Sequence, residues 1–286
     1  MRHAFSVRIG PVGFRIGSDW RAPIDQLETL YRDYPKPVDG VADFTVRLFA
    51  RRPWRRLIRP SVEIGGDYML PEAAPLPLRQ GLLAAEMAMN LQMALGARRY
   101  LLLHASAVER DGRALLMTGE SGAGKSTLAT LLAAKGWRFM GDEFALLDPA
   151  TGLVHAFPRL ISLKNAGVAA AEAAWPDARM GPLMPATPKG DIRHMVPDGR
   201  AIGAMDVPAI PALLLFPRYG FEPDTRPVPP AEAFIRMTQA STNYTALGEA
   251  GFRALTGLIA GVPSVAIDYP DGPHAIAQVE ALWATL

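Results

Sequence analysis

The stretch Gly119-Glu-Ser-Gly-Ala-Gly-Lys-Ser-Thr127 has Gly119, Gly124, Lys125 and Ser126 at the spacing G-x-x-x-x-G-K-[ST] of a phosphate-binding P-loop. Glycines let several backbone N–H groups converge on phosphate oxygens without Cβ atoms in the way. The amides of Gly119, Glu120, Ser121, Gly122, Ala123, Gly124, Lys125, Ser126 and Thr127 are therefore expected around the phosphates. The Lys125 ammonium suits the outer phosphates, and the Ser126 hydroxyl suits Mg²⁺. Asp142-Glu143 follows 17 residues after Lys125. A carboxylate there can hold Mg²⁺ or orient an attacking oxygen.

These residues need a scaffold, and the flanking sequence offers one. Arg113-Ala-Leu-Leu-Met-Thr118 is a short apolar run that predicts a buried strand. Ser126 to Lys135 is rich in alanine and leucine and predicts a helix, with Leu128, Leu131 and Leu132 on one face. Gly136 suits the left-handed position just past a helix end. Trp137-Arg-Phe-Met-Gly141 predicts a strand that delivers Asp142 and Glu143 at its C-terminal end, where open α/β sheets bind ligands.

The rest of the chain reads in two parts. Residues 1–77 predict a small α+β lobe. Phe5–Gly10 and Val12–Gly17 alternate about Gly10-Pro11 as a hairpin, Asp43–Ala50 alternates likewise, and Ser61–Leu70 offers a pair of short strands. A helix is expected between Asp25 and Tyr34, and Pro71–Pro77 forms a proline-rich joint. Residues 78–286 form the second part. It opens on a helix from about Leu78 to Leu95, then a strand Tyr100–Val108 and a turn with Asp111-Gly112 at its tip. Phe144–Asp148 and Leu153–Phe157 flank another hairpin turn. Two hairpins around the glycine loop predict a mixed sheet. From Trp175 to Pro230 the chain is rich in proline and glycine and predicts loops or a lid around one buried strand, Ala212–Phe216. Helices are expected over 231–240, 248–260 and 274–286, with a strand at Val265–Tyr269.

Composition narrows the classes. The chain has 286 residues, 49% hydrophobic and 20% charged, ample for a substantial core. It has no cysteine, which excludes disulfides, thiolate metal sites and a cysteine nucleophile. The first residues lack the apolar core of a signal peptide, and no apolar run approaches the ~20 residues of a membrane span. Cytoplasmic residence without a membrane partner is the expectation. A formal charge of +2 argues against nucleic acid as a partner. One local exception is the cluster Arg51, Arg52, Arg55, Arg56 and Arg59 around Trp54. A second is Lys189, Arg193 and His194, which could clamp a phosphate or an acidic substrate.

From His104 through Glu143 the sequence resembles the core of the HPr kinase/phosphorylase family. The likeness rests on a histidine after a strand, a hairpin into Gly119-Glu-Ser-Gly-Ala-Gly-Lys-Ser, and Gly136-Trp-Arg-Phe-Met-Gly-Asp-Glu143. It is nearest to the HPr-kinase-related subgroup, some members of which are linked to peptide modification. Phosphoenolpyruvate carboxykinase is a more distant likeness sharing the same α/β P-loop core. The resemblance implies ATP and Mg²⁺ as cofactors. It implies Asp142 as the base toward an acceptor hydroxyl, Glu143 helping Ser126 hold Mg²⁺, and His104 near the transferred phosphate. The likeness is good over about 100–165. It departs at Glu143, where the enzyme proper has Asp, and at Lys164, where an acidic segment would stand. These departures speak against HPr itself as acceptor. The implied activity is a kinase transferring the γ-phosphate to a hydroxyl, such as the serine of a peptide, protein or small molecule. The competing class is a nucleotide-gated binding module without an acceptor. The family suggests homo-oligomers, although no heptads or apolar stripes demand one.

Overall fold

A computed structural model describes residues 2–70 and 72–286; Pro71, at the head of the expected proline joint, lies outside them, as does Met1. The protein is mixed α/β and divides into two compact units. The first comprises Met1–Ala97 and Arg179–Val196, the second Arg98–Ala178 and Pro197–Leu286. No helix among the described residues is long and apolar enough to cross a membrane.

The first unit is built on a five-stranded sheet. His3–Ile9 and Val12–Ser18 pair as the expected hairpin, with Ile9 opposite Val12. Phe44–Phe49 then joins parallel to Val12–Ser18, which requires a crossover. Helix Arg21–Leu30 supplies it, burying Ile24 and Leu27. Ser61–Gly66 and Leu76–Pro77 complete the sheet. Ser61–Leu70 is therefore one strand and not two, because the Asp67 carboxylate and the Gln92 side chain take the backbone bonds beyond Gly66.

Helix Gly81–Gly96, which the sequence groups with the C-terminal part, packs on this sheet. The reason is burial. Leu82, Ala85, Met89 and Met93 are all fully covered, and Tyr31 donates to Glu86 at 2.9 Å from helix Arg21–Leu30. The same unit recruits Met184–Thr187 and Gly190–Met195, an antiparallel hairpin from the middle of the chain. Arg179 anchors its approach by bonding the Leu30 carbonyl at 3.0 Å and Asp33 at 2.7 Å. The stretch expected as loops or a lid thus holds this hairpin, a short helix Gly199–Gly203 and a ten-residue strand, Ile210–Tyr219. Alternation in Gly190–Met195 is masked by its charged residues, whose outward positions read as a solvated loop.

The second unit contains a six-stranded mixed sheet. Its order is Asp224–Pro227, Ser264–Tyr269, Ile210–Tyr219, Arg113–Met117, Ser106–Arg110, Arg138–Gly141. Ile210–Tyr219 runs parallel to both Arg113–Met117 and Ser264–Tyr269. Ser106–Arg110 is antiparallel to both of its neighbours, so Arg138–Gly141 runs with Arg113–Met117. Four parallel strands therefore end at one edge. The hairpin Ser106–Arg110/Arg113–Met117 turns on Asp111 and Gly112, both at positive φ (55° and 76°), which is the backbone of a two-residue primed turn.

The expected strand Tyr100–Val108 is broken at His104. Leu101–Leu103 pairs with Ala145–Leu147 in a separate three-stranded sheet, and Ser106–Arg110 enters the large one. His104 N–H donates to the Ala240 carbonyl at 2.7 Å, which takes the chain out of the ladder at that residue. Helices Pro230–Ala240 and Tyr244–Gly261 cover one region of the core through Ala233, Met237, Leu255 and Leu258. The second of these starts at Tyr244, ahead of the expected start, and bends at Gly248 (φ 55°), the residue where the sequence predicts its beginning. Helix Gly272–Trp283 is capped by Asp271, whose carboxylate accepts the His274 N–H. A helix over Ala166–Ala174 was not expected.

Candidate functional site

Strand Arg113–Met117 runs into the glycine loop, and helix Lys125–Ala134 leaves it. The helix buries Leu128, Ala129 and Leu132 and leaves Leu131 half-buried beside Gly272. Gly122 and Gly124 have φ of 90° and 87°, the left-handed conformation that favours glycine. At Gly124 there is also no room. A Cβ there would lie 2.3 Å from the Tyr269 hydroxyl, which donates to the Ala123 carbonyl at 2.9 Å. The loop is thus pinned from strand Ser264–Tyr269, and burial pushes the Tyr269 phenol well above its usual range.

Lys125 is the first residue of the helix and is only 8% exposed. Its Nζ donates back to the carbonyls of Gly119 (2.7 Å) and Glu120 (2.9 Å). Burial pulls its pKa below the usual lysine value. Asp142 and Glu143 oppose that shift, and the charge of Lys164 adds to it. Lys164 ends strand Ile161–Lys164, which packs on the same helix.

Asp142, at the end of Arg138–Gly141, is 6% exposed. Its Oδ1 accepts Ser106 Oγ at 2.8 Å and its Oδ2 accepts Ser162 N–H at 3.3 Å, and the Ser126 hydroxyl acts on the same carboxyl as a donor that lowers its pKa. Burial raises its pKa and Glu143 raises it further, against the lowering effect of those three donors. The loop hydroxyl and the acid expected beside it are therefore brought together. His104 lies on the exposed side, with Nε2 3.9 Å from Glu143 Oε2 and its carbonyl accepting Thr118 Oγ1 at 3.0 Å. The fold thus gathers Lys125, Ser126, Asp142, Glu143, His104 and Lys164 about one sheet edge.

Lys189, Arg193 and His194 stand elsewhere in the chain's division into units. They belong to the first unit, on hairpin Met184–Thr187/Gly190–Met195. Lys189 is exposed near the turn, Arg193 Nε donates to the Gly181 carbonyl at 2.9 Å, and His194 is 1% exposed. Arg193 and His194 are strand neighbours and point to opposite faces, so the three do not form one clamp. The arginines 51–59 lie in the connection before Ser61–Gly66. Arg56 bonds the Asp19 carbonyl, while Trp54, Leu57 and Ile58 are exposed.

Sequence reasoning missed Ser106 and Ser162, the two further donors to Asp142. For Ser106 no local signal existed, because the chain leaves the ladder at His104 and only the new strand, starting at Ser106, turns its hydroxyl inward. Ser162 donates its backbone N–H from 20 residues further along, a contact that has no local signature. No family model and no curated protein matches this chain.

Proposed function

We propose that the chain binds a nucleoside triphosphate, ATP being the expected one, on the loop Gly119–Thr127 and transfers its terminal phosphoryl group to a hydroxyl of a separate acceptor. The observation that carries this reading is the placement of the buried acid Asp142, at the end of strand Arg138–Gly141, beside the glycine loop, where Lys125 and the Ser126 hydroxyl both act on its charge. The loop amides and the positive end of helix Lys125–Ala134 favour an anion. Lys125 exchanges its two carbonyl partners for outer-phosphate oxygens, a charge-assisted and therefore stronger pairing.

Mg²⁺ fits the donors present. Ser126, Asp142 and Glu143 offer oxygen ligands only, two of them adjacent carboxylates. That suits an ion held by one or two carboxylates and completed by phosphate oxygens. When bound, Mg²⁺ would neutralise charge on the phosphates. Asp142 directs the acceptor hydroxyl at phosphorus and takes its proton as the new O–P bond forms. The bond to the leaving diphosphate breaks in line, and Lys125 stabilises the charge left there. Since transfer is loose, Asp142 orients more than it deprotonates. His104, across from Glu143, faces the transferred group. The likeness of residues 104–143 to HPr kinase/phosphorylase supports the same assignment, with a different acceptor in view of Lys164.

The test is a transfer screen with γ-labelled ATP and Mg²⁺ against serine peptides, HPr and small hydroxyl compounds. Asp142→Asn is expected to abolish labelling while nucleotide binding persists; normal turnover in that variant removes the assignment. Lys125→Ala is expected to lose on the order of 100-fold in transfer, as does loss of one preorganised donor, and to weaken nucleotide binding too. Tight binding with no acceptor labelled would instead support a nucleotide-gated module.

A further inference from the structure

Strand order gives the glycine loop two unlike sides. Beyond Arg113–Met117 in one direction lie Ser106–Arg110 and Arg138–Gly141, ending at Asp142 and Glu143. In the other direction lie Ile210–Tyr219 and Ser264–Tyr269, both parallel to the loop strand and ending at the same edge. Neighbouring strands are about 4.8 Å apart. A nucleotide whose terminal phosphate points toward Asp142 must therefore carry its nucleoside over the ends of the latter pair.

Those ends carry an aromatic surface that nothing above has used. Tyr219 closes its strand 52% exposed, and Phe221 follows 47% exposed. The loop and this surface are neighbours, since a Cβ on Gly124 would lie 3.5 Å from Tyr219 Cβ. The surface is also braced. Gly220 N–H donates to the Tyr269 carbonyl at 2.8 Å, and Tyr269 in turn holds the loop through Ala123. Arg218 Nε donates to Asp268 at 2.9 Å, and the guanidinium lies 3.9 Å from the Phe221 ring centroid. Arg226 shares the same Asp268. Two large exposed aromatics at a rigid turn are costly to leave in water and suit a flat ligand.

We propose that Tyr219 and Phe221, braced by Arg218, form the platform on which the base of the nucleotide stacks. This rests on the nucleotide reading of the glycine loop. Stacking uses the ring face, which every base has, so the platform accepts ATP and GTP alike.

The experiment is calorimetric titration of the full chain, with Mg²⁺, by ATP, GTP and inorganic tripolyphosphate. Phe221→Ala and Tyr219→Ala are expected to weaken ATP and GTP about tenfold or more, the usual effect of removing one stacked aromatic, and to leave tripolyphosphate unchanged. Phe221→Trp restores nucleotide affinity. Unchanged ATP affinity in both alanine variants overturns the platform, with the loop reading intact. Equal loss of tripolyphosphate and ATP also overturns it, because the effect would then lie in the loop. Wild-type protein that binds neither ATP nor tripolyphosphate removes the nucleotide reading itself, and the platform with it.

Discussion

At the residue scale, the glycine loop is held by features that tolerate no side chain. Gly124 combines a left-handed backbone with a 2.3 Å approach of the Tyr269 hydroxyl to any Cβ. Gly124→Ala must either shift the loop or expel Tyr269 from Ala123. We expect it to cost about 1–3 kcal/mol in stability from backbone strain alone, measured by thermal unfolding, and to reduce nucleotide binding more than Gly136→Ala. Gly136 is also left-handed (φ 91°) but meets nothing within 4 Å. Comparing the two separates strain from crowding. Asp142 shows a different economy. Its burial disfavours the charged form that the proposed transfer would use, and the bonds from Ser106 and Ser162 hold the carboxyl in one orientation.

At the element scale, the hairpin that feeds the loop is fixed by a buried ion pair. Arg138 Nε donates to Glu109 at 2.6 Å, and Arg138 Nη1 reaches the carbonyls of Ala204 (2.9 Å) and Val207 (3.0 Å). Glu109 also accepts the Gly112 amide at 2.6 Å, so one carboxylate locks both the turn and the neighbouring strand. Burial alone would raise the Glu109 pKa, but the bonds from Arg138 and Gly112 outweigh it and hold it below 4.5. A carboxyl depressed in the folded state contributes stability above its ordinary value, and the contribution is lost as pH falls through the folded value. Arg138→Met leaves Glu109 buried without its partner and is expected to cost about 3–5 kcal/mol at neutral pH. Urea unfolding at pH 7 and pH 4 checks this. The gap between wild type and variant should narrow at the lower pH, as protonation relieves the stranded charge.

At the scale of the whole molecule, each unit is made of two separate stretches of chain. Residues 179–196 leave the second unit to complete the first, and helix Gly81–Gly96 covers the first unit's sheet. A cut after residue 77 would therefore expose Leu82, Ala85, Met89 and Met93 and take Leu30 and Asp33 from Arg179. A protein of residues 78–286 is expected to aggregate or to unfold well below the full chain; size-exclusion chromatography and a melting curve decide this. A monodisperse fragment with an unchanged melting temperature would contradict the packing described here.

Local signals were enough for the parts of the fold that are local. The strand–glycine loop–helix sequence, the Asp111-Gly112 turn and the strand ending at Asp142 could all be read directly. Each depends on neighbouring residues whose backbone preferences are strong: glycine at positive φ, alanine and leucine in a helix, apolar runs in a buried strand. Pairings between distant residues had no such signal. The break at His104 comes from a hydrogen bond to Ala240, the Ser106 and Ser162 donors come from strands brought together by the fold, and the hairpin 184–195 is charged enough to pass for a loop. The sequence by itself determined which residues form the glycine loop with its lysine and hydroxyl and which form the acid pair, because that is written in residue type and spacing. Only the tertiary structure decided that Ser106 and Ser162 bond Asp142, that Lys189, Arg193 and His194 belong to the other unit, and that Tyr219 flanks the loop, because strand order and sheet membership are set by burial across the whole chain.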